Sequence, residues 1–170
     1  MKKSVISSLC TVAFILLAAI SFGQIIKGTY AIKNMQTGML LRIKDANTAN
    51  GTPLVAYHPV NWKCMTWNFN HVEGQTYQLK NLFSNKTFQP KAAATEGVAL
   101  EEQPLVNKQA TQQYEFIPID KNVYKIKLKG TELYVTPSDA KGSDNSQIML
   151  AANQNGKLQQ WTIYEQNPEY

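Results

Sequence analysis

Thr66-Trp67-Asn68-Phe69, Gln113-Tyr114-Glu115-Phe116 and Gln160-Trp161-Thr162-Ile163 are one segment written three times. In each, an aromatic residue, a polar spacer and a second apolar or aromatic residue alternate, which is the period-two pattern of a strand with one buried face. Trp67, Tyr114 and Trp161 are separated by 47 and 47 residues, and the upstream tyrosines Tyr30, Tyr77 and Tyr124 by 47 and 47 again. Each tyrosine stands 37 positions before its partner aromatic, so the chain holds three copies of one unit. Self-similarity at a fixed period marks a repeat architecture, in which each unit leaves apolar surface for its neighbours to cover.

The rest of each unit follows the same ruler. Tyr124, Ile126 and Leu128 alternate with Lys125, Lys127 and Lys129, so three apolar side chains face one way and three ammonium groups the other. The lysine row reads as a solvated strand face. Tyr77-Leu79-Asn81 and Tyr30-Ile32-Asn34 repeat the inward set. Turn formers follow at Asn50-Gly51-Thr52 and Asp144-Asn145-Ser146, with Glu96-Gly97 one residue short of the equivalent place. They lead into further strands at Leu54-Val55-Ala56, Leu100-Glu101-Glu102 and Ile148-Met149-Leu150. No stretch shows a sustained helical period. Three strand-rich units, closing on one another with buried aromatics, describe an all-β fold, the β-trefoil: a six-stranded barrel capped by three hairpins, without open sheet edges. The structural core aromatics are then Tyr30, Trp67, Tyr77, Tyr114, Tyr124 and Trp161.

Residues 1–23 have the pattern of a cleaved signal peptide: Lys2 and Lys3, an apolar run from Val12 to Ile20, and small residues at Ser21 and Gly23. Cleavage is expected before Gln24. Nine apolar residues fall well short of the ~20 that span a bilayer as a helix, so no membrane insertion is expected. Residues 24–170 form one domain, with repeats at about 28–74, 75–121 and 122–168, and the product is expected to be secreted or periplasmic and monomeric. Without Lys2 and Lys3, 15 basic residues face 12 acidic ones, a net charge of +3, too weak a field to argue for nucleic acid. The excess is local to the first repeat, where Lys27, Lys33, Arg42, Lys44 and Lys63 oppose Asp45 and Glu73. Removing Cys10 with the signal leaves Cys64 without a disulfide partner in the same chain. Cys64 with His58 and His71 could form a nucleophile and base, or three metal ligands. No acidic orienter or ligand spacing accompanies them, so Cys64 reads as a small buried hydrophobe near two loop histidines. No metal site or cofactor is expected.

Gln159-Gln160-Trp161 is a Gln-x-Trp signature, and Gln112-Gln113-Tyr114 is the same signature with Tyr for Trp. With Gly28-Thr29-Tyr30-Ala31-Ile32-Lys33-Asn34, the Thr37-Gly38 turn before Leu40-Leu41, and Asn50-Gly51-Thr52-Pro53-Leu54, these segments resemble the repeat of the ricin B-chain type lectins. The resemblance covers residues 24–170 and implies a non-enzymatic carbohydrate-binding module. Members that hold galactose-like sugars place an Asp after the first apolar pair of a repeat, an aromatic platform near its middle, and an amide just before the Gln of Gln-x-Trp. Those places hold Arg42, Gln89 and Thr136; Tyr57, Gln103 and Ala151; and Cys64, Thr111 and Leu158. The usual carboxylate is therefore missing from all three repeats. In the first repeat Met65 also replaces the Gln.

That first repeat nevertheless collects unusual residues in the loop His58, Pro59, Asn61, Trp62, Lys63. A tryptophan beside Tyr57 and Arg42 has the composition of a binding hot spot, although Trp62 could instead fold back to seal the barrel. The expected carbohydrate-binding set is Arg42, Tyr57, Asn61 and Trp62. Arg42 in place of Asp would favour an acidic glycan. A protein-binding alternative, such as a secreted protease inhibitor, would present the loop from Tyr57 to Lys63, stiffened by Pro59, with Lys63 as the cleavage-mimic residue. For an enzyme the sequence offers no catalytic triad, metal motif, phosphate loop or spaced carboxylate pair; Glu101 and Glu102 point to opposite faces of a strand.

Overall fold

The computed structural model describes residues 24–170, and the expected signal segment lies outside them. Twelve strands follow in order: β1 (Thr29–Asn34), β2 (Leu40–Ile43), β3 (Leu54–Tyr57), β4 (Thr66–Glu73), β5 (Thr76–Asn81), β6 (Thr87–Pro90), β7 (Leu100–Gln103), β8 (Tyr114–Asp120), β9 (Val123–Leu128), β10 (Leu133–Pro137), β11 (Ile148–Ala152) and β12 (Trp161–Glu165). Each repeat contributes four. The ladders β1–β4, β4–β5, β5–β8, β8–β9, β9–β12 and β12–β1 run antiparallel and return to their start, which closes a six-stranded barrel. The hairpins β2–β3, β6–β7 and β10–β11 cap it. This is the expected β-trefoil.

The 37-residue offset is a matter of strand register. Tyr30 lies opposite Trp67, Tyr77 opposite Tyr114, and Tyr124 opposite Trp161, so each unit's first aromatic is the ladder partner of its last. Trp67, Tyr114 and Trp161 are fully buried, and each places a polar atom on a backbone carbonyl 26 residues earlier. Trp67 Nε1 donates to the Leu41 carbonyl at 3.2 Å, the Tyr114 hydroxyl to Phe88 at 3.3 Å, and Trp161 Nε1 to Val135 at 3.0 Å. A large apolar body with a satisfied polar tip is the condition for burying Tyr or Trp without a penalty.

Tyr77 is buried, but Tyr30 and Tyr124 are half-buried at the barrel mouth, in edge-on ring contact with the core residues Phe69 and Phe116. The threefold pattern breaks there because residues before β1 cross one side of the mouth. Ile26 enters the core and its N–H donates to the Tyr77 hydroxyl at 3.0 Å. The strand face of lysines is also less free than its pattern implies. Lys127 pairs with Glu115 at 3.2 Å, Lys129 pairs with Glu73, and Lys125 bonds Asn153 at 2.6 Å.

The three caps dock head to tail. Gly51 donates to the Glu102 carbonyl and Glu102 to Thr52; Gly97 donates to Leu150 and Leu150 to Val98; Asn145 donates to Ala56 and Ala56 to Ser146. Each repeat's turn therefore lies on the next hairpin around the threefold axis, and the third repeat's turn, carrying Asp144, comes to rest on β3 of the first.

Candidate functional site

The equivalent 3-10 turns Lys63–Met65, Ala110–Gln112 and Lys157–Gln159 show what the first repeat has lost. Gln159 is buried, with Nε2 donating to Thr136 Oγ1 at 3.0 Å and to the Ala152 carbonyl at 2.8 Å, while its Oε1 accepts from the Gln154 N–H at 2.7 Å. Gln112 does the same work with Gln89, Pro104 and Val106. The Gln of Gln-x-Trp is thus a lock between the loop before it and a residue of its repeat's second strand, Gln89 in β6 or Thr136 in β10. In the first repeat that pair is Met65 and Arg42, and a thioether offers a guanidinium no comparable partner.

Arg42 is consequently rehoused. It is 7% exposed, and its Nε finds no partner among the described residues. Asp45 Oδ1 stands 3.9 Å from Nη2, at the limit of an ion pair. The charge rests instead on rings: Cζ lies 4.0 Å from the Tyr57 ring centroid and 5.8 Å from that of Trp62. On Tyr57 the His58 imidazole also packs, with centroids 4.2 Å apart and planes tilted by 31°. Two groups this close to one centroid cannot share a face, so Tyr57 is held between guanidinium and imidazole. Trp62 stacks beside it at 6.2 Å and 30° and remains 37% exposed. It belongs to neither buried core cluster of the described residues.

The backbone around this group is unusual. Among the described residues, only the first repeat has a 3-10 turn directly after its second strand, Lys44–Ala46, in which Asp45 and Ala46 take φ of 52° and 49°. Left-handed conformations of this kind cost a non-glycine residue roughly 1–2 kcal/mol each. The turn brings Ala46 beside Arg42, Trp62, Cys64, Phe83 and Tyr170, around a hollow of about 210 Å³. Cys64 is buried there; burial raises its thiol pKa, partly offset by the Arg42 guanidinium.

Of the four expected site residues, Arg42, Tyr57 and Trp62 come together. Asn61 lines a different, shallow hollow, with Pro59, Val60 and residues 164–167. The loop itself is held by a residue that sequence reasoning missed. Gln166 is buried, donates from Nε2 to the Val60 carbonyl at 3.0 Å and accepts from Thr66 Oγ1 at 3.1 Å. His71 is distant from this group and bonds the Gly74 carbonyl at 3.0 Å. His58 does have an acidic partner, one that no local pattern announces: Asp144 Oδ1 accepts from the His58 N–H and Oδ2 meets Nδ1, both at 2.9 Å. Eighty-six residues separate the two, and only the head-to-tail docking of the caps joins them. A larger hollow of about 500 Å³ at the barrel mouth, with Tyr30, Tyr124 and Tyr164 in its wall, contains no comparable grouping of cation, exposed indole and carboxylate.

A family profile described as ricin-type beta-trefoil lectin domain-like matches residues 63–151, just over half of the chain. Among solved structures, the designed three-fold symmetric protein ThreeFoil superposes with a TM-score of 0.76 at 17% identity, over 81% of this chain and 98% of its own. The ricin B-like lectin of Macrolepiota procera, solved in complex with lactose, gives 0.68 at 18% identity, over 83% of this chain and 98% of its own. An exo-beta-1,3-galactanase from Clostridium thermocellum gives 0.74 at 20% identity, over 79% of this chain but only 29% of the enzyme. At these identities the likeness concerns the fold. No curated protein matches the sequence.

Proposed function

Because this chain belongs to the ricin-type beta-trefoil lectin domain-like family, we propose that it is a non-enzymatic carbohydrate-binding module with a single, atypical site in the first repeat. The observation that carries the reading is the Trp62–Tyr57–Arg42 stack: an exposed indole for the C–H face of a sugar, and beneath it a buried guanidinium without a full counter-charge. The second and third repeats have no such grouping at their equivalent places, where Gln112 and Gln159 tie Gln89 and Thr136 into the loops. A desolvated cation bordering an open hollow favours a glycan that brings a carboxylate or sulfate to it. The charged start and apolar run of residues 1–23 support export, with the domain acting outside the cytoplasm.

The protein-binding alternative receives no comparable support. Lys63 opens the Lys63–Met65 turn and its N–H donates to the Tyr170 carbonyl, so it does not stand at the apex of a projecting loop.

A glycan array carrying neutral, sialylated and sulfated structures, probed with residues 24–170 and with the Trp62→Ala and Tyr57→Ala variants, tests the reading. Binding by the wild type that both substitutions remove is expected, with the acidic structures brightest. A blank array, or signals unchanged in both variants, would contradict it.

A further inference from the structure

We propose that Asp144 and His58 form the hydroxyl-binding half of the first-repeat site, with Asp144 supplying, from the third repeat, the carboxylate that the first repeat lacks. The proposal rests on the carbohydrate reading above. Four observations carry it.

Asp144 is fixed in place. Its turn is bonded to β3 through Ala56, with Val55 bridged to Gln147, and its two oxygens meet the His58 backbone and ring at 2.9 Å each. A carboxylate held by two hydrogen bonds from one residue is pre-organised, and each oxygen keeps a lone pair free.

It is charged and open. The His58 hydrogen bonds hold the Asp144 carboxyl below the usual carboxylate range, with the Arg42 charge adding a smaller pull. Its side chain is 43% exposed.

Its ionisation assigns the imidazole. An ionised carboxylate can only accept, so His58 Nδ1 carries a proton and donates it to Asp144 Oδ2. The Asp144 oxygens, each with a lone pair free, are acceptors, and their complement is a pair of donors. Adjacent hydroxyls of a pyranose are such donors, whereas a carboxylate or sulfate is repelled from this end.

The pair adjoins the aromatic stack. His58 packs on Tyr57, and Tyr57 packs beside Trp62, so acceptors, ring face and buried cation follow one another along one line of side chains. A sugar on Trp62 would turn its hydroxyl edge toward Asp144 and any acidic substituent toward Arg42.

The test is an NMR titration of residues 24–170 with the methyl glycosides of galactose, mannose, N-acetylgalactosamine, glucuronic acid and N-acetylneuraminic acid. It is repeated with Asp144→Asn and Trp62→Ala, and with single-deoxy forms of whichever glycoside binds best. Asp144→Asn is expected to weaken binding about 10- to 100-fold, the range of a hydrogen bond to a charged group. One deoxy form should lose a similar factor on the wild type and nothing further on Asp144→Asn, a non-additivity that a purely structural role for Asp144 would not produce. Loss of binding in Trp62→Ala with Asp144→Asn unaffected would overturn this proposal and leave the carbohydrate reading intact. A wild type that binds none of the five would overturn both. If Asp144→Asn does not fold, the deoxy series on the wild type decides: no loss from any removed hydroxyl refutes a hydroxyl-binding role.

Discussion

Trp62 and Trp67 are five positions apart and do opposite work. Trp67 is sealed in the core, while Trp62 lies outside it and is partly exposed. Truncating a fully buried core tryptophan costs about 3–5 kcal/mol, so Trp67→Ala should unfold easily in urea. Trp62→Ala should leave the urea midpoint nearly unchanged, and equal loss in both would contradict the division. Glu102 shows where single-residue reading failed. It occupies the third place of β7, as Ala56 does in β3 and Leu150 in β11, both core positions, and it is fully buried. The repeat alignment contained that signal, but a carboxylate is a poor prior for a core place. Burial raises the Glu102 pKa, partly offset by the nearby Ser84 hydroxyl and Lys86 ammonium. The folded state thus keeps this proton to higher pH than the unfolded chain does. Its contribution to stability is fully present below the unfolded glutamate range and is lost as pH rises through the folded value. Glu102→Gln should therefore stabilise the protein more at about pH 7 than at about pH 4. Urea midpoints at the two pH values measure this, and a pH-independent difference would refute it.

At the scale of elements, the 3-10 turn with its glutamine lock is the unit to perturb. Gln159→Ala strips partners from the Gln154 N–H and the Thr136 hydroxyl at a buried place, which should cost about 2–4 kcal/mol in equilibrium unfolding. Changing Met65 to Ala removes packing but no polar partner, and the two should differ in how far the neighbouring loop loosens, read by amide hydrogen exchange at residues 152–154 against 57–61. The strands were legible in the sequence because alternation and turn formers recur at a fixed interval. The site was legible only in part. Arg42, Tyr57 and Trp62 lie within one repeat, and their composition marked them. Asn61 shares the loop but lines a different hollow, since a segment's composition does not say which neighbours each side chain meets. Asp144 and Gln166 were illegible because nothing local ties residue 58 to 144 or residue 60 to 166.

For the whole molecule, closure is the organising fact. Six ladders form a ring and three caps dock in a cycle, so no repeat can leave without breaking contacts to both neighbours. Near- and far-ultraviolet circular dichroism should therefore report one coincident urea transition, and separated midpoints would argue against cooperative closure. The symmetry of the sequence announced this architecture, and the first repeat departs from it most. The first repeat holds Met65 and a buried Arg42 where the others hold a glutamine lock, and the third repeat's Asp144 meets it at His58, the arrangement from which a first-repeat site is proposed. The most direct test of that claim uses the three tryptophans of the chain, residues 62, 67 and 161, as reporters. With the indoles labelled with nitrogen-15, a glycan that binds should move the Trp62 signal while the Trp67 and Trp161 signals, buried and bonded to Leu41 and Val135, stay in place. Binding that leaves the Trp62 signal unmoved would contradict a first-repeat site.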